Sequence, residues 1–450
     1  MTDRASDDST APGAPRPAPL IRHVAAVVVG NGLEFYDFLT YAYFAVYIGR
    51  TFFPSHNAGQ GLLLSLATFG AGFLTRPIGA MVIGPMGDRI GRRPAMMLSF
   101  SLMGVAIVGL ALTPSYHRIG IAAPVMVIAF RLLQGFALGG EVGPTTAYLV
   151  EAAPPRRRGF YASMQGATQD SASLLAGLVG TLLASLLTAQ QLQDWGWRVA
   201  MLIGASIVPF GLIIRSRLPE TLHAADDAAL APDGTAGSTA AKGVRPYLPV
   251  IVLGLMMLAA GTIGTYVTDY MTTYALTVLH MPPTVAFGVI IVTGATAVVF
   301  EVTSGLLSDR FGRKPVMLIP ATLLLISIFP AFWVISHFRT VPTFYAAAAW
   351  LTMLAALAST PVICLLTESL PKRIRSGGVA MVYAFAISIF GGSTQVTITF
   401  LLQTTGNPLA PAFYWTGAAV VGIIAMALVR ESAPVRLAAR ARKLALAAAA

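Results

Sequence analysis

Residues Gly84–Pro94 read GPMGDRIGRRP, and Gly305–Pro315 read GLLSDRFGRKP. Asp88, Arg89, Gly91, Arg92 and Pro94 return as Asp309, Arg310, Gly312, Arg313 and Pro315, 221 residues further on. Each copy leaves one long apolar run and enters another, so each is a tight charged turn between two membrane-length helices. A repeat of about half the chain, planted at matching points of two hydrophobic halves, is the pattern of a duplicated transporter. A second echo has nearly the same offset. EAAPPRRRG from Glu151 and ESLPKRIRSG from Glu368 share Glu-x-x-Pro-x-x-x-Arg, 217 residues apart.

Working outward, the chain has 450 residues, 56% hydrophobic and 11% charged, with a mean hydropathy of +0.72. A soluble protein carries about 25% charged residues, so this composition belongs to a polytopic membrane protein. The net charge of +11 would suggest nucleic acid in a soluble chain, but here the basic residues sit in short turns. Twelve runs reach the ~20 apolar residues a span needs: 23–48, 60–86, 95–113, 120–148, 159–187, 198–214, 246–276, 284–307, 315–336, 341–367, 377–403 and 409–430. The expected fold is all-α, with twelve transmembrane helices in two pseudo-symmetric six-helix bundles. Residues 1–22, acidic and Ser/Ala/Pro-rich, read as a disordered N-terminus without the basic-then-apolar pattern of a cleaved signal. The first bundle is 23–214, the polar Ala/Asp/Gly-rich stretch 215–245 is a linker, the second bundle is 246–430, and 431–450 is an Arg/Ala-rich tail. With both termini inside, 24 Lys and Arg fall in cytoplasmic segments and four in outer loops, which sets the orientation by the positive-inside rule. The single cysteine, Cys364, has no disulfide partner and reads as a buried filler.

The two charged turns resemble the most specific signature of the major facilitator superfamily, and the likeness extends over essentially the whole chain. GNGLEFYDF (Gly30–Phe38), FLTRPIGA (Phe73–Ala80), RLLQGFALGGEVG (Arg131–Gly143), DWGWR (Asp194–Arg198) and FGG (Phe390–Gly392) are similar to its metabolite:proton symporter family. Within that family the first half and the TESLPKRIRSGG turn look closest to citrate and tricarballylate carriers. Other members move 2-oxoglutarate, shikimate, and betaine or proline. The resemblance implies a bacterial inner (plasma) membrane carrier working as a monomer, with no cofactor. It puts Asp88 near the start of span eleven and Asp309 near the start of span five, by Gly159. A carboxylate at a helix N-terminus is favoured by about 0.3–1 kcal/mol when exposed and up to ~2 when partly buried. Arg92, Arg93, Arg313 and Lys314 would then hold Glu151 and Glu368 in a cytoplasmic gate built on Gly84, Asp88, Arg89, Gly91, Arg92, Asp309, Arg310, Gly312 and Arg313. Alternatively the charges only fix topology.

An ionisable group at the bilayer centre costs about 2.5–3.5 kcal/mol on insertion scales, so each one is a functional candidate. Glu34 and Asp37 are three residues apart, and Asp37 and Tyr41 four, so they share a helical face. Two carboxylates so close in low dielectric cannot both ionise easily, which suits a proton carrier. By resemblance, Asp37 matches the first-span acid of proton-coupled sugar porters, and Arg131 the fourth-span arginine paired with it. The cycle expected is that protonation of Asp37 releases Arg131 and lets the loaded halves rock. The alternative is a permanent pair that only ties the two spans together. Glu141, ten residues after Arg131, is either a second protonatable site or a packing acid. Arg76 offers a planar fork suited to a carboxylate, and with Arg131 it is one of two cations inside the spans. It meets cargo or pairs internally. Gln165 and Gln169 put a polar face of span five, which also carries Asp170, on the cavity. The second half offers neutral donors: Tyr266, Tyr270, Thr360, Gln395 and Thr399. Asp269, near the outer end of span seven, reads as a gate or upper wall or else an exposed rim acid, and Glu301 as part of the second latch in preference to a substrate contact.

No Walker turn, H-E-x-x-H or G-x-S-x-G occurs, so no enzyme and no metal site is expected, and a gradient must supply the energy. Span five has no proline, unlike the Gly-Pro motif that marks the family's drug antiporters, which favours symport. The function expected is proton-coupled import of a small organic acid, most closely citrate or a related di- or tricarboxylate, by alternating access. The rivals are a symporter for another small metabolite and a non-transporting sensor on the same fold. The partners are cargo, proton and lipid bilayer, not nucleic acid.

Overall fold

A computed structural model of the chain describes residues 35–36, 38–55, 58–90, 92–139, 153–154, 156–216, 247–370 and 372–436. No strand occurs among them. The first span is helical at 35–36 and 38–43, turns at Phe44, and ends in α1, Ala45–Phe52. The second breaks at Thr75 into α2 (Ala58–Leu74) and α3 (Arg76–Ile90). The Thr75 hydroxyl donates to the Leu132 carbonyl at 2.7 Å, pinning the break to the fourth span. α4 (Arg92–Leu112), α5 (Ala122–Leu138), α6 (Arg158–Leu186) and α7 (Trp197–Ser216) follow. In the second half, span seven is α8 (Leu248–Asp269) with α9 (Met271–Thr277), and spans eight to ten are α10 (Pro283–Phe311), α11 (Arg313–Phe338) and α12 (Val341–Ser369). Span eleven is α13 (Lys372–Ala386) and α14 (Gly392–Thr405), joined by a π-helical turn at Ile387–Gly391, and span twelve is α15 (Ala410–Leu428).

Each expected span thus has a helical counterpart. Several helices start on a proline, which fixes φ and lacks an N–H that would go unpaired there; Pro283, Pro342 and Pro411 do this. Gly312 (φ +99°) separates α10 from α11, and Gly406 (φ +62°) ends α14, conformations that a side chain resists. The boundaries differ where charge was taken as a stop. α10 continues past 307 to Phe311, and α13 begins at Lys372, not 377. In α10 the added turn carries Asp309, which finds its partners at the bundle's charged end. The regions expected as N-terminus, linker and tail lie largely outside the described residues.

Seven of the described helical spans are long and apolar enough to cross a membrane. Large apolar side chains point outward from both halves, Leu74, Met81, Leu112, Ile121, Leu186, Ile319, Ile326 and Leu428 among them. A belt of that kind is matched to lipid chains. In lipid, apolar burial gives helices little reason to associate, and close backbone approach does the work. The halves meet along two such seams. On the first, between α6 and α10, a methyl group on Gly159 would stand 2.7 Å from the Gly305 carbonyl oxygen, and one on Gly177 2.8 Å from Ile290 Cβ. On the second, a methyl on Gly392 (α14) would stand 2.9 Å from the Gly70 carbonyl of α2. Phe44 packs across the halves on Phe287, ring centroids 4.6 Å apart.

Candidate functional site

The charged end of the bundle carries a latch. The first N–H groups of a helix have no intrahelical acceptor. At the start of α6 they are met from the other half: Gly159 N–H donates to Asp309 Oδ1 at 2.8 Å and Phe160 N–H to Oδ2 at 2.9 Å. Asp309 also accepts from Arg313 Nη1 at 2.8 Å. Arg313, 1% exposed, forks onto Glu368, with Nε–Oε2 at 3.2 Å and Nη2–Oε1 at 3.1 Å. Arg158 reaches the same carboxylate at 3.9 Å. Lys314 departs from the expected latch. Its Nζ donates to the Val429 carbonyl at 3.1 Å and to the Ala427 carbonyl at 2.5 Å, closing the C-terminal end of α15. An acid that the sequence reading passed over, Glu431, accepts from the Arg313 and Lys314 N–H groups, both at 3.0 Å, and caps α11. Arg310 stays exposed, over the Phe311 ring at 5.4 Å.

Between the halves lies a cavity of about 220 Å³. That is below the ~300–1,000 Å³ of ordinary ligand pockets. The first span contributes Phe35, Leu39 and Tyr43, α6 contributes Gln165, Gln169, Asp170 and Ser173, and α8 contributes Tyr266 and Asp269. Thr293 and Glu301 come from α10, Thr352, Ser359 and Thr360 from α12, and Tyr383 and Trp415 from the last two spans. Tyr43 Oη donates to Asp269 Oδ1 at 3.0 Å, joining the first span to the seventh. Three acids therefore face the cavity, and no Lys or Arg is among its described lining residues. Glu301 is accordingly a cavity residue and not a member of the latch. Asp269 lines the cavity wall and is not an exposed rim acid.

The two cations lie behind one wall of this cavity. The Arg76 guanidinium sits 4.5 Å from both the Phe38 and Phe73 ring centroids. That of Arg131, 0% exposed, sits 4.5 Å from Phe38 and Tyr41 and 4.9 Å from Phe69. Aromatic faces attract a desolvated cation by about 2 kcal/mol or more. Arg131 also donates to Gln134 Oε1, and to the Phe69 carbonyl at 3.4 Å. Tyr266 is the shared wall. It lines the cavity, packs on Phe69 and Phe73 at 6.1 and 5.6 Å, and stands in the fields of Arg76, Arg131 and Asp269.

Of the residues expected to meet cargo, the structure brings Gln165, Gln169 and Tyr266 to the cavity and gathers Arg76, Arg131 and Tyr41 behind it. Tyr270 and Gln395 are absent from its lining. Tyr270 accepts from the Thr399 hydroxyl at 2.9 Å, and Thr399 follows Gln395 by one turn. Glu34, Asp37, Gly91, Glu141 and Glu151 lie outside the described residues. Gly84, Asp88, Arg89 and Arg92 flank Gly91 at the ends of α3 and α4, and their side chains also lie outside the description. Cys364 is buried beside Ala162.

Comparison with known proteins gives this arrangement its context. A family model described as sugar (and other) transporter matches residues 23–229 and 235–442. The citrate-proton symporter of Klebsiella pneumoniae is 35% identical over 412 residues, covering 91% of this chain and 92% of that protein. The alpha-ketoglutarate permease of Escherichia coli K12 is 33% identical over 413 residues, covering 91% and 93%. The xylose transporter of E. coli, in a partially occluded inward open conformation, superposes with a TM-score of 0.72 at 19% identity, covering 91% of this chain and 97% of that one. Matched end to end by sequence and by fold, the chain belongs to the sugar (and other) transporter family of the major facilitator superfamily, a family of membrane carriers and not of enzymes.

Proposed function

We propose that this protein imports a small organic acid, citrate or a related di- or tricarboxylate, in symport with protons. The observation that carries the reading is the pair of buried guanidinium groups, Arg76 and Arg131, set in an aromatic box one tyrosine away from the central cavity. Two planar forks in a dry setting suit an anion with more than one carboxylate. The kinship with a citrate-proton symporter and an alpha-ketoglutarate permease supports the same class of cargo. Cargo enters the cavity, Tyr266 turns aside, and the carboxylates meet the arginines. Asp37, on the first span beside Phe38, is the coupling acid: its protonation frees Arg131 for cargo, and Glu34 and Glu141 assist. Opening and closing of the Asp309–α6 latch alternates access. The charged end faces the cytoplasm with both termini, in a bacterial plasma membrane, and the working unit is a monomer.

A second reading takes a zwitterion such as betaine or proline as cargo. The three acids on the cavity wall favour it, since they suit a cationic group as the arginines suit a carboxylate. The deciding experiment is labelled citrate uptake into proteoliposomes under an imposed pH gradient, competed by unlabelled acids and zwitterions. Citrate-driven alkalinisation of the outside, with competition by tricarboxylates, supports the first reading. No citrate uptake, with labelled betaine or proline accumulated under the same gradient, replaces it with the second, and uptake of none of these labels leaves a sensor on this fold.

A further inference from the structure

We propose that Asp170 of α6 and Glu301 of α10 form a proton-binding site shared between the two halves, and that a proton held there is what lets the α6–α10 seam close. This rests on the proton-symport reading and adds to it a site separate from the first-span acid. The two helices touch along glycines for most of their length, and at the level of the cavity the seam has to accommodate two acids. The Glu301 carboxyl lies on Gly166, where any side chain would strike both of its oxygens, and against the Asp170 carboxyl one turn further along α6. Residues 166 and 170 share a helical face, so the glycine makes the room and the aspartate supplies the partner.

No Lys or Arg accompanies the pair among the described residues. The charges acting on it are each other and Asp269, and the phenols facing it are Tyr43, which donates to Asp269, and Tyr383 of α13. α12 brings the Thr352, Ser359 and Thr360 hydroxyls to the cavity, none of them charged, and its Glu368 sits at the charged end. α11 contributes Ala321 and Leu324. Two ionised carboxylates in contact, without a cation and out of water, repel, whereas one shared proton turns the repulsion into a charge-assisted hydrogen bond.

A second observation marks the cavity beside them as a place for a hydrogen-bonding guest. The Thr352 hydroxyl is 6% exposed, lines the same space and has no partner among the described residues. Asp269 Oδ2 and Glu301 Oε2 share that condition. Buried polar atoms of this kind are ordinarily met by water or ligand, and water is the vehicle that brings a proton to Glu301. The step is a plain transfer: an O–H bond forms at the carboxylate as one breaks in hydronium, and the reverse occurs when the seam parts on the other side.

The test uses the full chain in proteoliposomes, with labelled citrate outside and a pH-sensitive dye trapped within. Glu301→Gln and Asp170→Asn should each move one proton fewer per cargo. Accumulation then falls roughly ten-fold for each unit of imposed pH difference, since that unit is worth about 1.4 kcal/mol per proton. The pH dependence of citrate counterflow should flatten as well. Should one single variant fail to fold, the double variant D170N/E301Q, which leaves two neutral amides in contact, gives the same reading. Variants that keep the parental proton-to-citrate ratio and pH profile overturn this inference alone. A parent protein that moves no protons with citrate or any other acid overturns the symport reading first.

Discussion

Arg131 is the most deeply buried cation among the described residues, and nothing about the apolar run around it in sequence explains how the bilayer tolerates it. The explanation is the ring of faces, Phe38, Tyr41 and Phe69, closed round its guanidinium. A lysine ammonium is a hydrated point charge that neither stacks in such a box nor forks onto a carboxylate. Arg76→Lys and Arg131→Lys should therefore each lower the kcat/KM for citrate uptake by about ten- to a hundred-fold, the equivalent of about 1.5–3 kcal/mol for a charged hydrogen bond. Normal uptake by Arg76→Lys would make that residue a packing element of the second span. Tyr266→Ala should open a passage between the acids and the arginines. We expect its citrate KM to rise several-fold and proton movement to become uncoupled from cargo, read as dye signal without label.

At the scale of helices, α6 depends on a neighbour for its first turn. Asp309→Ala removes the acceptor of two N–H groups, and loss of a cap costs about 0.5–2 kcal/mol. The expected result is a lower thermal midpoint for the detergent-solubilised carrier, with Asp309→Asn falling between it and the parent. Gly305→Leu puts a branched side chain where the Gly159 carbonyl now lies, 2.7 Å from the position of a Cβ. Overpacking of this kind costs about 1–3 kcal/mol, so counterflow should slow at least ten-fold, and an unchanged rate would deny that the seam closes in the cycle. Helix positions were legible in the sequence because hydropathy and the charged turns report directly on length and ends. The facing of Asp309 and Gly159 was implied by the family resemblance that the repeated motif carries, and spacing alone would not have given it. Glu301 was misread because nearness along the chain was taken for a shared face. Eight residues before Asp309 it is rotated by about 80°, enough to turn it from the latch to the cavity. Glu431 gave no signal at all, since an acid just beyond a last span becomes a cap only once α11 has been packed against α15. The breaks at Thr75 and Ile387–Gly391 were likewise hidden, because a π turn or a kink changes no residue's hydropathy.

For the whole molecule, the question is what it costs to separate the halves. Glu368 is 5% exposed in its side chain and holds both Arg313 of its own half and Arg158 of the other. Glu368→Gln leaves Arg313 as an under-compensated buried charge, a change worth about 3–5 kcal/mol when a buried pair is broken. Arg313 lies in the same half as Glu368, so that cost falls on the open and the closed state alike. A term equal in both states shifts no population, so this substitution should lower the thermal midpoint and leave the open–closed balance close to the parent's. Distances between spin labels placed on either side of that end should stay near the parent's, and a marked lengthening would sink the idea. The arrangement of that carboxylate has one more consequence. Its strong fork joins α12 to α11, which travel together, while among the described residues of that end the weak 3.9 Å contact and the Asp309 cap span the dividing line. Among the described residues, parting the bundles thus leaves the buried Arg313 guanidinium paired, and the toll falls on one helix terminus, of the order of 2 kcal/mol. A single ion falling down a modest electrochemical slope releases a comparable amount, so the machine can idle near balance and be tipped either way by its own fuel.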